Sequence, residues 1–297
     1  MALILFYCYQ TKIMKTLKQN TFSAINTISK ALFIFSLFFS FHSSYANNGD
    51  DKGEKKTANN FIPANNTSFK PGEKLTYRLS YGIIDAGEVI LTVDHTPKKV
   101  RGRELWKVRG IGRTISAFEW FYKVNDVYES YVDAQGMFPW MFVRRVNEGG
   151  YIINQDYTFY QHKKVVDNGE GKKFGVPSNV QDMISAFYYL RTLNYENAKE
   201  GDVFTVNVFL DDQLYPAKIR YKGKEVVKTR EGKIKCHKFA PVVQEGRIFK
   251  SEKDLTVWIT DDANKIPIVA KTKIKVGSLK MHLVSSDQLI EPLNFID

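Results

Sequence analysis

Along most of the chain, apolar and polar residues alternate. In Lys74–Tyr81, residues Leu75, Tyr77, Leu79 and Tyr81 fall on one face, and Lys74, Thr76, Arg78 and Ser80 on the other. In Val203–Leu210, one face carries Phe204, Val206, Val208 and Leu210. A period of two sustained over such segments is the mark of a strand buried on one side. The same alternation recurs near 86–96, 103–110, 123–132, 138–147, 150–160, 214–222, 233–243, 253–260, 266–276 and 279–285. Turn chemistry separates the segments at Gly149-Gly150, Asp211-Asp212, Lys222-Gly223, Glu231-Gly232 and Gly277-Ser278. About a dozen antiparallel strands rarely stay in one flat open sheet. The expected fold is therefore mainly β, a large curved antiparallel sheet in the form of a barrel or half-barrel.

One stretch changes period. From Ser178 to Leu193 the apolar residues Val180, Met183, Ile184, Phe187 and Leu190 are spaced by three and four, which predicts one amphipathic helix near 178–193. Ser178 with Gln181 three residues on reads as a capping box, and Pro177 discourages an earlier start. A shorter helical turn is expected over Thr114–Phe121. The long helix is expected to cover an opening or the concave face of the sheet.

The helix divides two related halves, 69–176 and 198–290. The first opens Gly72-Glu-Lys-Leu-Thr-Tyr77 and the second Gly201-Asp-Val-Phe-Thr-Val206. Each later carries D-x-x-[G/N]-x-[F/I]-P, as Asp133–Pro139 and Asp261–Pro267. Gly136 and Asn264 suit a positive φ in a tight turn, and proline suits the first residue of a returning strand. Similar order and spacing suggest an internal duplication. The plainer reading is two hairpins that reached the same turn solution. Together 69–297 read as a single β-rich domain.

The N-terminus has a different character. Its first 46 residues hold Lys12, Lys15, Lys18 and Lys30 and no acid, then the apolar run Ala31–Phe41, then Ser44-Tyr45-Ala46. A basic region, an apolar region and a small-x-small site form a secretory signal peptide. The 11-residue apolar run is short of the ~20 residues that span a bilayer. Cleavage near Ala46 and a periplasmic or secreted location follow as expectations, and Met14 is an alternative start. Residues 47–68 are polar and without period, and read as a disordered linker.

Composition adds limits. Without the lysines of the first 46 residues, the chain carries 39 basic and 32 acidic residues, a formal +7. Lysines cluster at 163–164, 172–173, 222/224 and 271/273/275. The plain reading of such a strand face is protection from edge-to-edge aggregation, and the sharper one is attraction to an anionic lipid surface. Nucleic acid is not an expected partner of an exported protein. Cys236 would be alone in the mature chain, so no internal disulfide forms, and a lone cysteine is most often a small buried hydrophobe.

The segments Phe69-Lys-Pro-Gly-Glu-Lys-Leu-Thr-Tyr77, Tyr81-Gly82, Ala86-Gly87, Gly232-Lys-Ile-Lys-Cys236 and Val257–Pro267 together resemble the domain-of-unknown-function 3108 family of exported bacterial proteins. The likeness spans roughly 69–290. It implies export and a β-rich fold, and it carries over no catalytic residue.

Motifs for chemistry are missing from the sequence. The histidines His95, His162, His237 and His282 are far apart in the chain, and no HExxH or Cys/His cluster suggests a metal. There is neither a G-x-S-x-G elbow nor a phosphate loop. No catalytic residue, metal or cofactor is predicted. His95 is the best placed of the histidines for acid–base work, although an exposed strand-end histidine explains it as well. Aromatic residues make up 14% of the chain. Phe118, Trp120 and Phe121, with Trp140 on the next hairpin, could line an apolar cavity; packing in the core is the plain alternative. The leading expectation is a non-enzymatic exported protein that binds a lipid or other apolar ligand, with peripheral membrane contact as a further partner. The alternatives are an interaction module in envelope assembly and a hydrolase with an unrecognised site. An outer-membrane barrel would need an outward apolar belt, which the alternating lysines and arginines oppose.

Overall fold

The computed structural model describes residues 61, 63–115, 119–120, 122–242, 255–273 and 277–296. The signal-like segment, and the cleavage expected near Ala46, lie outside them. Strands β1 (Lys74–Tyr81), β2 (Ile84–Val100), β3 (Arg103–Thr114), β4 (Asn125–Asp133), β5 (Pro139–Glu148) and β6 (Tyr151–Tyr160) form an up-and-down meander, continued by the short β7 (Val165–Asp167) and β8 (Lys173–Gly175). Helix α1 (Met183–Arg191) follows. A second meander runs through β9 (Val203–Leu210), β10 (Gln213–Lys228), β11 (Lys233–Pro241), β12 (Leu255–Thr260), β13 (Pro267–Lys273) and β14 (Ser278–Asp287), with β15 (Phe295–Ile296) at the end. All belong to one 15-stranded antiparallel sheet in the order β8-β7-β6-β5-β4-β3-β2-β1-β14-β13-β12-β11-β10-β9, with β15 beside β11.

The alternation places the core. Leu75 and Tyr77 of β1, Leu91 and Val93 of β2, Tyr128 of β4, Phe142 of β5, Tyr157 and Phe159 of β6, Phe239 of β11 and Ala270 of β13 face inward into one continuous cluster. Met183, Ile184, Phe187 and Tyr188 of α1 complete it. The inner face is thus packed with side chains.

The ends β8 and β9 are not hydrogen-bonded to each other. Side chains and one bridge draw the two arms together instead. Gln181 pairs with Val208 of β9, its amide donating to Asn207 O (2.8 Å) and its carbonyl accepting from Phe209 N (2.8 Å). At the β9–β10 turn, Asp211 accepts from Arg144 of β5 (2.7 Å). Asp212 accepts from Tyr157 of β6 (3.1 Å) and from Asn168 (3.0 Å). Asp211 and Asp212 both have positive φ, 48° and 58°, as a two-residue primed turn requires.

That bridge explains why α1 is shorter than the spacing of its apolar residues predicts. Gln181 is held extended by β9, so the helix starts only after it. Its cap is Asp182, which accepts from Ile184 N and Ser185 N (2.8 Å each), while Ser185 Oγ accepts from Asp182 N (2.9 Å). The capping box is real but lies four residues beyond the one expected at Ser178. Of the short turn expected over Thr114–Phe121, β3 takes Thr114, Glu119 and Trp120 are helical, and 116–118 and 121 lie outside the described residues.

The two meanders match locally. Gly72 and Gly201 have φ of 100° and 102°. Gly72 N donates to Val93 O and Val93 N to Glu73 O; Gly201 N donates to Tyr221 O and Tyr221 N to Asp202 O. In the paired turns the positive φ falls on Met137 (53°) and Lys265 (47°), one residue after Gly136 and Asn264. Gly136 is needed for another reason: a Cβ there would stand 2.1 Å from the Phe138 ring.

The tether expected over 47–68 is packed at its far end. Phe61 lies against Phe138 (4.8 Å) and Trp140 (5.8 Å), Ala64 N donates to Gln135 O, and Ser68 is buried.

Candidate functional site

In an up-and-down meander, alternate turns share an end. The turns β1–β2, β3–β4, β5–β6, β9–β10 and β13–β14 therefore lie at one end of the sheet, and the turns β2–β3, β4–β5, β10–β11 and β12–β13 at the other.

The second end is closed by buried polar contacts. Arg191, in the last turn of α1, gives both terminal nitrogens to Glu73 (2.6 and 2.7 Å). It also donates to Asn264 O (3.1 and 3.0 Å) and Ser68 O (3.1 Å), and its guanidinium lies over the rings of Phe69 and Tyr188. Both charged groups are 1% exposed. Burial raises the hydroxyls of Tyr77 and Tyr188 well above the ordinary tyrosine range. The partners of Arg191 come from residues 68–73, from the β12–β13 turn and from α1 itself, so this cluster joins α1 to both halves.

Another network ties β10, β11 and the β12–β13 turn. His237 Nε2 lies 2.8 Å from Asp261 Oδ1, His237 Nδ1 lies 3.2 Å from Tyr221 Oη, and Lys224 Nζ lies 2.7 Å from Asp261 Oδ2. Burial lowers the His237 pKa, with the charge of Asp261 opposing the shift. A neutral ring that donates from Nε2 and accepts the Tyr221 hydroxyl at Nδ1 satisfies every contact. The arrangement has the order of a catalytic relay, but His237 is 4% and Tyr221 3% exposed, so no substrate reaches the hydroxyl. The network holds strands. Sequence reading missed it because its members lie on separate strands and Asp261 already had an explanation as a turn residue. His95, the histidine singled out by sequence, is exposed on β2 opposite Trp106.

Cys236 is a buried thiol, pushed up to about 12 by burial first and by the charges of Asp262, Asp261 and Glu225; it is unreactive. Among the described residues no group of three His, Cys, Asp or Glu side chains could hold a metal. None of their helices is long and apolar enough to cross a membrane.

The aromatic candidates separate. Trp140 is 3% exposed and packs with Leu105, Tyr131 and Phe138 in a small cluster of its own, its indole donating to Asp133 (3.2 Å). Trp120 is 82% exposed. Phe118 and Phe121 lie outside the described residues. Trp120 and Trp140 thus do not share a lining.

What does gather is an apolar rim at the first end. Ile83 is fully exposed and Ile84 53% exposed at the β1–β2 turn. Trp120 stands on the β3–β4 connection, and Tyr151 and Ile152, also exposed, open β6 at the β5–β6 turn. Exposed Leu214 follows the β9–β10 turn. Val203, Val226, Ile290 and Phe295 are exposed towards the other end, and scattered exposed apolar residues need no explanation; Ile83-Ile84, Trp120 and Tyr151-Ile152 at successive turns of the first end do.

The family model for proteins of unknown function designated DUF3108 matches residues 76–284. The chain belongs to this family. The match covers the strands from β1 to β14, so the DUF3108 fold is the curved sheet itself. No curated protein matches the sequence significantly. Among solved structures, the chain is similar to a β-barrel-like protein of the domain of unknown function DUF1849 from Brucella abortus, with 13% identity, 72% of this chain and 96% of that one covered, and a TM-score of 0.48. It is also similar to the hypothetical protein CT021 from Chlamydia trachomatis, with 7% identity, coverage of 73% and 87%, and a TM-score of 0.33.

Proposed function

We propose that this DUF3108 protein is an exported, non-enzymatic scaffold that contacts a lipid surface with the apolar-rimmed end of its sheet. Export rests on the basic, apolar and small-x-small order of the first 46 residues. The observation that carries the reading is the line of exposed Ile83, Ile84, Trp120, Tyr151 and Ile152 at one end of a sheet whose inner face is filled. An enclosed apolar ligand would need room on that inner face, where Tyr77, Phe142, Tyr157 and Phe159 already pack. Trp and Tyr favour the boundary between headgroups and acyl chains, where the ring is buried and its polar atom stays wet. Isoleucine at a turn tip gains by leaving water, at ~25 cal/mol per Å² of apolar area.

Trp120 provides the test. Adding phosphatidylcholine vesicles to the purified, processed protein should shift tryptophan emission to the blue. The Trp120→Phe variant should lose most of that shift, and Ile83→Ser with Ile84→Ser should weaken vesicle binding. A protein that neither shifts nor co-sediments with vesicles of any composition would sink the reading.

A further inference from the structure

The lysines on the outer face of β13 and β14 have no structural explanation. Lys271 of β13 stands directly opposite Lys280 of β14. Lys273, two residues along β13, is on the same face and opposite Ser278. All three lysines are exposed. None bonds a carboxylate among the described residues. Like charges directly opposite on neighbouring strands oppose pairing.

Protection of a sheet edge, the ordinary reason for lysine on a strand, does not apply. β14 lies between β1 and β13, and β13 between β14 and β12. These are interior strands. The nearby acids of β2 are already engaged: Asp85 accepts from Ser80 Oγ (2.7 Å), and Glu88 holds Arg113 (2.6 Å) and Arg78 (3.5 Å). His282 continues the row toward Arg78, its cross-strand neighbour on β1. Its Nδ1 is buried without a hydrogen-bond partner among the described residues. Burial first, and then the charge of Lys280, hold the His282 pKa below its ordinary value.

The basic row adjoins the apolar rim. Gly82 N, in the β1–β2 turn that carries Ile83, donates to Ser278 O (3.1 Å). At the β13–β14 turn, the ring of Tyr81 lies so close to Gly277 that a Cβ there would be 3.3 Å from it. One corner of the molecule thus joins an exposed apolar tip to an uncompensated cationic strip.

We propose that Lys271, Lys273 and Lys280 bind the phosphates of anionic lipid headgroups while Ile83 and Ile84 enter the adjoining acyl boundary. This rests on the lipid-contact reading above and specifies its partner as an anionic bilayer. A lysine near such a surface contributes roughly fivefold in binding, and the gain is screened by salt.

The experiment compares co-sedimentation of the purified, processed protein with phosphatidylcholine vesicles and with an equal mixture of phosphatidylcholine and phosphatidylglycerol. Wild type should bind the mixed vesicles more tightly, and the preference should fade with added salt. Lys271→Gln with Lys280→Gln should lose on the order of tenfold or more on mixed vesicles and nothing on neutral ones. Ile83→Ser with Ile84→Ser should lose binding to both. Lys280→Arg should behave as wild type. Thermal melting of each variant checks that it is folded, and removing the opposed lysines should not lower the midpoint. If the lysine variant binds mixed vesicles as wild type does, or loses neutral and anionic vesicles alike, the headgroup assignment is overturned and the apolar contact stands. If wild type ignores both vesicles, the contact itself is wrong, and an acidic protein surface becomes the partner to pursue.

Discussion

Arg191 is a charge with almost no water around it, and it remains charged because Glu73 and the carbonyls of Ser68 and Asn264 take up its donors. Both carboxylate oxygens of Glu73 in turn accept from Arg191. Removing one partner leaves the other as an uncompensated buried charge, which costs far more than the pair contributes net. Glu73→Gln is therefore expected to lower unfolding free energy by ~3–5 kcal/mol. Urea denaturation measures it, as a fall in midpoint with an unchanged slope. Pairing Glu73→Leu with Arg191→Met should cost less than the single change, because no charge is stranded. A double variant weaker than the single one would mean that the ion pair itself holds α1 in place. Neither residue stood out in the sequence. Glu73 follows Gly72 at the opening of a strand and Arg191 lies within the helical stretch 178–193, and neither position marks a buried charge. Their sequence separation of 118 residues hides a contact that only the curved sheet, with α1 laid against it, creates.

At the scale of elements, the β4–β5 turn shows how a correct reading had an incorrect reason. Gly136 was expected to supply a positive φ, whereas Met137 does so. The glycine instead makes room for the buried ring of Phe138. Around it, Asp133 accepts from Gly136 N (2.7 Å), Gln135 N (3.1 Å), Trp140 Nε1 (3.2 Å) and the guanidinium of Arg103. These bonds hold the Asp133 carboxyl below its ordinary pKa, although burial, the largest single influence, acts the other way. Gly136→Ala should force the Phe138 ring out of place and cost ~1–3 kcal/mol, as overpacking does. Gly112→Ala on β3, where a Cβ would meet nothing within 4 Å, should be neutral or slightly stabilising. Thermal melting of the two variants side by side checks the contrast. The strands themselves were legible because alternation is a local signal. The onset of α1 was not, because the pairing of Gln181 with Val208 is a tertiary contact that overrides the local signal of Ser178. The apolar rim escaped notice for a similar reason: Ile83 and Tyr151 become neighbours of Trp120 in meaning only when topology puts their turns at one end.

For the whole molecule, the buried titrating groups oppose each other. Burial raises Asp182 to about 6 from an ordinary 3.8, against hydrogen bonds from Ser130 and the helix amides. The folded state then holds more protons at this site than the unfolded chain, so acidification through pH 6 towards 3.8 strengthens the fold. His237 and His282 act in the opposite direction. Burial lowers both below 6.5, so the stability they contribute is complete above that pH and is lost as pH falls through 6.5 towards their folded values. Asp133 and Glu225, both lowered by their partners, lose their contributions only below their ordinary values of 3.8 and 4.5. Between pH 6.5 and 5, two histidines thus work against one aspartate, and each can contribute at most ~1.4 kcal/mol per pH unit. As pH falls across this window, His237 and His282 draw stability down while Asp182 draws it up. Asp182→Asn keeps an acceptor for Ile184 N and Ser185 N but cannot titrate, so its stability should fall on acidification where the histidines alone govern the slope. His237→Gln with His282→Gln should lower stability at neutral pH and leave Asp182 to govern the slope, so that stability rises on acidification. Urea unfolding at half-unit steps of pH distinguishes the cases by sign, independently of how much each variant costs. A double variant that still weakens on acidification would place the proton uptake elsewhere and remove His237 and His282 from the account.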